Sequence, residues 1–79
     1  MLAREWIECY AERLGIDPPT PAEFSAVLDL AAEAAHTSER VAAPVACWLS
    51  ARAGVAPQEA MALAREVGVE GEGEGGSAE

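Results

Sequence analysis

The stretch that decides the fold is residues 41–53, which read VAAPVACWLSARA and contain only a serine and an arginine as polar residues. A helix that is apolar nearly all round is a buried helix, so we expect this segment to be the central element of the molecule. Pro44 cannot lie deep inside an uninterrupted helix, because its ring clashes with the preceding turn and it lacks an N–H. The pattern therefore predicts a break near residues 41–43 and a buried helix over 44–53, which Gly54 ends.

The chain before this stretch contains a well-marked helix start. Thr20 can cap a helix, Pro21 suits the first helical position, and Glu23 stands where a capping box places its carboxylate. The apolar residues that follow share one helix face. Extending the helix to residue 40 also gathers four polar residues into one stripe (Asp29, Glu33, His36 and Arg40). We therefore expect a long helix over 21–40.

Two outer helices complete the fold. Apolar residues recur at helical spacing over 2–14, opposite an acidic face, and Gly15 is expected to end that helix in the left-handed conformation. The last helix begins with Pro57 in the first turn, and Gly68 is expected to cap its end. The sequence therefore predicts an all-α fold, a small four-helix bundle over residues 2–14, 21–40, 44–53 and 57–67.

The C-terminal residues differ in composition from the rest of the chain. Beyond Val69 the sequence is mostly Glu and Gly, which cannot bury a core. We therefore predict one helical domain over 1–69 and a disordered acidic tail over 70–79. A chain of 79 residues has room for one thin core, so helix packing must carry the fold, with self-association as one way to bury more surface.

The charge of the chain excludes several classes of partner. Its formal charge is −9, from 14 acidic residues against 5 basic ones, and every basic residue is Arg. Such a surface repels phosphate backbones, so nucleic acid and anionic membranes are poor partners. No apolar run approaches the roughly 18–20 residues of a membrane span, and the first residues do not form a signal peptide. Two cysteines are then expected to be free thiols in the reducing cytoplasm.

Patterns of catalytic and metal-binding residues are missing. There is one His, and Cys9 and Cys47 lie far apart, so a metal site has too few ligands. Both cysteines are expected to act as small buried hydrophobes. The serines lack the glycines of a nucleophile elbow, and the glycines of the tail follow no strand. We therefore predict no catalytic residue, no metal and no cofactor; an enzyme would need a second chain to complete its site.

The one dense polar cluster within the apolar body is HTSER, residues 36–40. It precedes the third helix, whose N-terminus carries free N–H groups and partial positive charge. His36, Ser38 and Arg40 could therefore hold a phosphate or carboxylate there. The alternative, which we favour, is a structural junction. In that case Glu39 and Arg40 satisfy backbone groups and each other, and His36 pairs with a carboxylate of its own helix.

The aromatic residues also allow two interpretations. Trp6, Tyr10, Phe24 and Trp48 occur at helical spacing with other apolar residues, so core packing is the first expectation. A bundle this small has little room for two indoles, so one or two of these rings could instead form an exposed contact patch.

The most distinctive segment of the sequence is AHTSERVAAP, residues 35–44. It is preceded by LGIDPP at 14–19 and followed by Trp48-Leu49 and Ala53-Gly54. With Trp6-Ile7-Glu8, these segments resemble a small bacterial domain family of uncharacterised function. Members of that family occur as short proteins or fused to molybdopterin-guanine dinucleotide biosynthesis (molybdenum cofactor guanylyltransferase) proteins. The resemblance covers roughly residues 5–67.

The resemblance implies an association with molybdenum cofactor maturation and no particular activity, because the chain lacks the nucleotide-binding loop and the length of a guanylyltransferase. The positions that match the family pattern are His36, Glu39, Arg40 and Pro44. We therefore predict a non-catalytic accessory module that binds a partner protein or itself. The alternative is a module that binds a phosphorylated small molecule, a nucleotide or phosphopterin, through His36 and Arg40.

Overall fold

The computed structural model describes the backbone of residues 1–78 and the side chains of residues 1–68. Over residues 1–78 the chain forms four helices and no strand, which confirms the predicted all-α fold. The tail that was predicted to be disordered, residues 70–79, is assigned to the last helix as far as Ala78, but its side chains and residue 79 lie outside the described part, so the disorder stays a prediction. The helices are α1 (Ala3–Leu14), α2 (Pro21–Thr37), α3 (Ala42–Ala53) and α4 (Pro57–Ala78).

The predicted start of α2 is confirmed in its hydrogen bonds. The Glu23 N–H donates to Thr20 Oγ1 over 3.1 Å, and the Thr20 N–H donates to Glu23 Oε1 over 2.9 Å. Two N–H groups that have no partner within the helix are thereby satisfied, and Pro21 occupies the first helical position, where no N–H is needed.

Two helices end at glycines, as predicted. Gly15 has φ 77° and Gly54 has φ 73°, both in the left-handed region, which a residue with a Cβ adopts only at a cost. Beyond the first of them, the Ile16 N–H donates to the Ala11 carbonyl over 3.0 Å, which closes the last turn of α1.

The predicted end of α2 at residue 40 is wrong. The helix ends at Thr37, because Ser38 adopts φ −139° and ψ −113°, outside the helical region. Arg40 therefore leaves the polar stripe on which the periodicity placed it. Serine competes for backbone hydrogen bonds and favours helix ends, which explains why the polar segment interrupts the helix here.

The start of α3 also differs from the prediction, since the helix begins at Ala42 and not at Pro44. A tight turn leads into it: the Ala42 N–H donates to the Glu39 carbonyl over 2.9 Å, and the Ala43 N–H donates to the Arg40 carbonyl over 3.1 Å. Pro44 is the third residue of the helix. The missing N–H costs nothing there, because the first turn has no acceptor within the helix.

The prediction that α3 is the buried central helix is wrong. The central helix is α2, which packs against both α3 and α4. Among the described side chains the buried apolar residues are Ala11, Leu30 and Ala60, and Leu30 is the one large side chain, with 3% of its surface exposed. No residue of α3 is buried, and Trp48 is 60% exposed. An apolar sequence shows that a helix can be buried, but among the described elements α3 packs mainly against α2, and none of its residues is buried.

Gly68 was expected to cap α4, and this expectation is also wrong. Its φ is not positive, and α4 is bounded at Pro57–Ala78. A Cβ at this position would lie 3.4 Å from Thr37 Cγ2 and 3.6 Å from Glu33 Oε2. The small residue therefore lies where α4 passes close to the last turn of α2.

Candidate functional site

An open groove of about 490 Å³ lies between α2, α3 and α4. Glu33 is the one charged side chain among its described lining residues. Leu30 and small side chains line its deeper part, and larger apolar side chains from α3 and α4 border it (Leu49, Leu63 and Val67). The groove is therefore an apolar depression between helices, with one carboxylate at its edge.

The hydroxyl groups that line the groove are partly occupied within their own helices. Thr37 Oγ1 donates to the Glu33 carbonyl over 2.7 Å, and Ser50 Oγ donates to the Ala46 carbonyl over 2.9 Å. With their protons used in this way, these hydroxyls add little polar recognition. Binding in the groove would depend on shape and on the burial of apolar surface.

The leucines that border the groove keep about half of their surface in water: Leu49 is 51% exposed and Leu63 is 49% exposed. Burying such a side chain completely contributes roughly 1.5–3 kcal/mol of free energy. A ligand that covered the exposed half of each leucine would therefore gain about half of that amount in binding. Leu28 is 56% exposed but lies on α2 outside the groove, so it offers a matched comparison.

The structure places the five predicted site residues at the junction of α2 and α3, and all five are exposed. His36 lies in the last turn of α2, Glu39 and Arg40 lie in the turn, and Pro44 lies in the first turn of α3. Only Ser38 also lines the groove. The five residues therefore lie around one helix junction, their role as a site stays a prediction, and the groove next to them was not predicted.

The anion-binding capacity of this junction is reduced by its own backbone. The N–H groups of Ala42 and Ala43 already donate to the carbonyls of the turn, and Pro44 has no N–H. A phosphate at the start of α3 would therefore meet fewer free donors than an ordinary helix N-terminus offers.

The aromatic side chains divide between the two interpretations that the sequence left open. Trp6 and Tyr10 are exposed on α1, with ring centroids 5.1 Å apart, and Trp48 is exposed beneath the guanidinium of Arg52, 5.2 Å from its ring. Phe24 is half-buried. The expected core packing is therefore wrong for three of the four rings, which are exposed, and whether they form a contact patch stays a prediction.

The cysteines also differ from each other. Cys9 is exposed, so the expectation that it is a buried hydrophobe is wrong. Cys47 is half-buried on α3, and this burial raises the pKa of its thiol. Within the part of the chain that the structure describes, His, Cys, Asp and Glu form no group of three able to hold a metal ion. Nor does any described helix combine the length and apolar content needed to cross a membrane.

The described residues form a small α-helical domain with an apolar groove between three of its helices. Residues 1–73 match a family described as a domain of unknown function, DUF6457, and the chain belongs to that family. No curated protein and no solved structure matches the chain. The predicted resemblance to an uncharacterised small domain is thereby confirmed at that level.

Proposed function

We propose that this domain is a non-catalytic interaction module that binds an amphipathic helix of a partner protein in the groove between α2, α3 and α4. The observation that supports the proposal is the groove itself, an apolar depression of about 490 Å³ bordered by leucines that are half-exposed. A groove between helices is one of the recurring modes of peptide recognition, in which the peptide contributes a helix with one apolar face.

The lining of the groove suits a helix better than a flat surface. Alanines from three helices line it (Ala34, Ala46 and Ala64), and side chains this small permit a partner backbone to approach closely. The 12 residues of α3 span about 18 Å, which matches about three turns of a bound helix. The partner would then present about three apolar anchors at a spacing of three or four residues.

The charge of the chain indicates which helices would bind. Glu33 is the one charged residue among the described groove residues, and the whole chain carries −9. A partner helix with Lys or Arg beside its apolar face would be attracted over a distance and could pair with Glu33 when bound. Raising the ionic strength should lower the association rate constant and change the dissociation rate constant much less.

The cellular context that we propose is molybdenum cofactor maturation in the cytoplasm. It is supported by the resemblance of residues 35–44 to the small domains fused to molybdopterin-guanine dinucleotide biosynthesis proteins, and by the two free thiols. Deleting the gene should lower the activity of molybdenum enzymes that use the guanine dinucleotide form of the cofactor. Unchanged activity of those enzymes would remove this context and leave the groove proposal standing.

The groove is tested by one substitution and its matched control. Leu63→Glu places a carboxylate in the groove, whereas Leu28→Glu makes the same change at a similarly exposed position outside it. Proteins captured from native extract by the wild-type chain should be lost with Leu63→Glu and kept with Leu28→Glu. Adding the captured protein to a 15N-labelled chain should then shift the amide signals of groove residues. Capture that both variants retain contradicts the proposal.

The alternative function, binding of a phosphorylated small molecule, rests on the exposed and neighbouring positions of His36 and Arg40. Calorimetric titration with inorganic phosphate and with nucleotides tests it directly. If the alternative is right, Arg40→Ala abolishes the heat of binding and leaves the thermal midpoint nearly unchanged. No heat with the wild-type chain removes it.

A further inference from the structure

The outer face of α1 carries a row of large apolar side chains that the described part of the chain leaves largely exposed. Its members are four residues apart and are all at least half exposed: Leu2, Trp6, Tyr10 and Leu14. The helix contacts the rest of the molecule through another side, where Ala11 is buried and the Arg4 guanidinium lies 5.9 Å from the Phe24 ring centroid. The apolar row therefore points away from the domain.

A second exposed row runs beside the first, one residue earlier in the sequence. It consists of Glu5, Cys9 and Arg13, which also follow four-residue spacing and so form a neighbouring ridge on the helix surface. The row carries opposite charges at equal distances from its middle, since Glu5 lies one turn before Cys9 and Arg13 lies one turn after it. Such a row is complementary to a copy of itself in the reverse direction.

We infer that α1 pairs with α1 of a second copy of this chain in an antiparallel arrangement, with the two-fold axis near Cys9. Each residue then lies opposite the residue of the other copy that is equally far from Cys9 on its other side, so that four positions before Cys9 meets four positions after it. Glu5 of each copy meets Arg13 of the other, which makes two ion pairs related by symmetry. In the apolar row, Trp6 fits between Tyr10 and Leu14 of the second copy, as ridges pack into grooves.

The charges argue for a second copy and for the antiparallel direction. The chain carries −9 overall, so two copies repel each other across most of their surface. On this row one Glu is balanced by one Arg, and the repulsion is relieved there. A parallel pair would instead place Glu5 against Glu5 and Arg13 against Arg13, so the arrangement is specified by electrostatics as well as by apolar contact.

The area available is enough for a weak but specific dimer. With aromatic side chains of 150–250 Å² each, the exposed parts of the apolar row bury on the order of 1,000 Å² across two copies, near the lower limit for a specific interface. A domain whose residues 1–68 bury one large side chain also gains more from such an interface than a domain with a full core. This surface is separate from the groove, so the inference goes beyond the proposed function.

Two charge reversals test the pairing. Arg13→Glu leaves only acidic charge on the row, and Glu5→Arg leaves only basic charge. In sedimentation equilibrium of the full chain, the wild type should form dimers, and each variant alone should dimerise at least tenfold more weakly. An equimolar mixture of the two variants should recover the dimer, because both ion pairs are restored between unlike copies. Arg65→Glu, an exposed reversal on α4, is the matched control and should leave the dimer unchanged.

Glu5 also accepts a hydrogen bond from the Leu2 N–H over 2.9 Å, so Glu5→Arg weakens the start of α1, and circular dichroism must show that the helix persists. If that variant does not fold, Tyr10→Glu serves instead and should shift the chain to monomer. As a second readout, mild oxidation with diamide should cross-link two copies through Cys9 in a Cys47→Ala background. A wild type that is monomeric up to millimolar concentration, or a mixture that fails to recover the dimer, overturns the inference.

Discussion

The three helices α2, α3 and α4 and the first helix α1 use similar apolar sequences in different ways. In the three-helix part, Leu30 of α2 is buried, and other apolar residues such as Leu49 and Leu63 line a groove. On α1, an equally regular row of apolar side chains stays at least half exposed, and Ala11, on another side of the helix, is its one buried residue. The difference shows that periodicity identifies which face of a helix is apolar, whereas burial depends on whether another element lies opposite that face.

The largest effect that tests this comparison concerns one leucine in each region. Leu30→Ala should destabilise the domain by about 2–5 kcal/mol, because it removes the one large side chain that is buried among the described residues and leaves a cavity. Leu14→Ala on α1 should cost less than about 0.5 kcal/mol, since that side chain is exposed in the monomer. Urea unfolding at low protein concentration measures both. Similar losses would mean that α1 contributes to the core as much as α2 does.

A second prediction compares Gly15, which ends α1, with Gly68, which lies within α4 where that helix passes close to α2. Gly15→Ala should cost about 1–2 kcal/mol, because φ 77° is unfavourable for a residue with a Cβ. Gly68→Ala should be neutral or stabilise by up to about 1 kcal/mol, because its Cβ finds ordinary contacts near 3.4 Å and alanine favours the helix. Thermal unfolding of the two variants decides the matter. Equal destabilisation would restore Gly68 as a helix cap.

The smallest effect is chemical and compares the two cysteines. Burial raises the pKa of the Cys47 thiol. At pH 8 a smaller fraction of Cys47 is therefore thiolate than for a thiol with an ordinary pKa. Iodoacetamide should therefore alkylate the exposed Cys9 several times faster than Cys47, as peptide mass spectrometry of timed samples would show. The Cys47 rate should keep rising with pH above the ordinary thiol range, and in urea the two rates should converge. Equal rates in the native chain would mean that α3 leaves Cys47 in water.

The local signals in the sequence were sufficient to predict that four helices form and where several of them begin or end. Thr20 and Glu23 form the predicted capping box, and Gly15 and Gly54 adopt the predicted left-handed conformation, because these features depend on a few neighbouring residues. The end of α2 was missed because a polar stripe that continues to Arg40 is compatible with a helix but does not require one.

Burial and the groove were not predictable in the same way. The groove joins Leu30, Leu49 and Leu63, which belong to three helices and are far apart in the sequence. No spacing rule connects such residues. The same reason explains the error on α3: its apolar residues match the pattern of a buried helix, but among the described elements it packs mainly against α2. Residues 36–40 lie together at the end of α2 and in the turn after it because they are contiguous in the sequence, and whether they bind a ligand stays a prediction.

The connection between α1 and α2 has a further consequence. It is fixed by Gly15 at one end, by the Thr20 cap at the other, and by Pro18 and Pro19 in the middle, whose rings restrict the backbone. In a pair joined through α1, this connection would hold the two grooves at a set spacing. A ligand with two helices at that spacing would bind its second site at an effective concentration on the order of millimolar, and a ligand with any other spacing would gain no avidity.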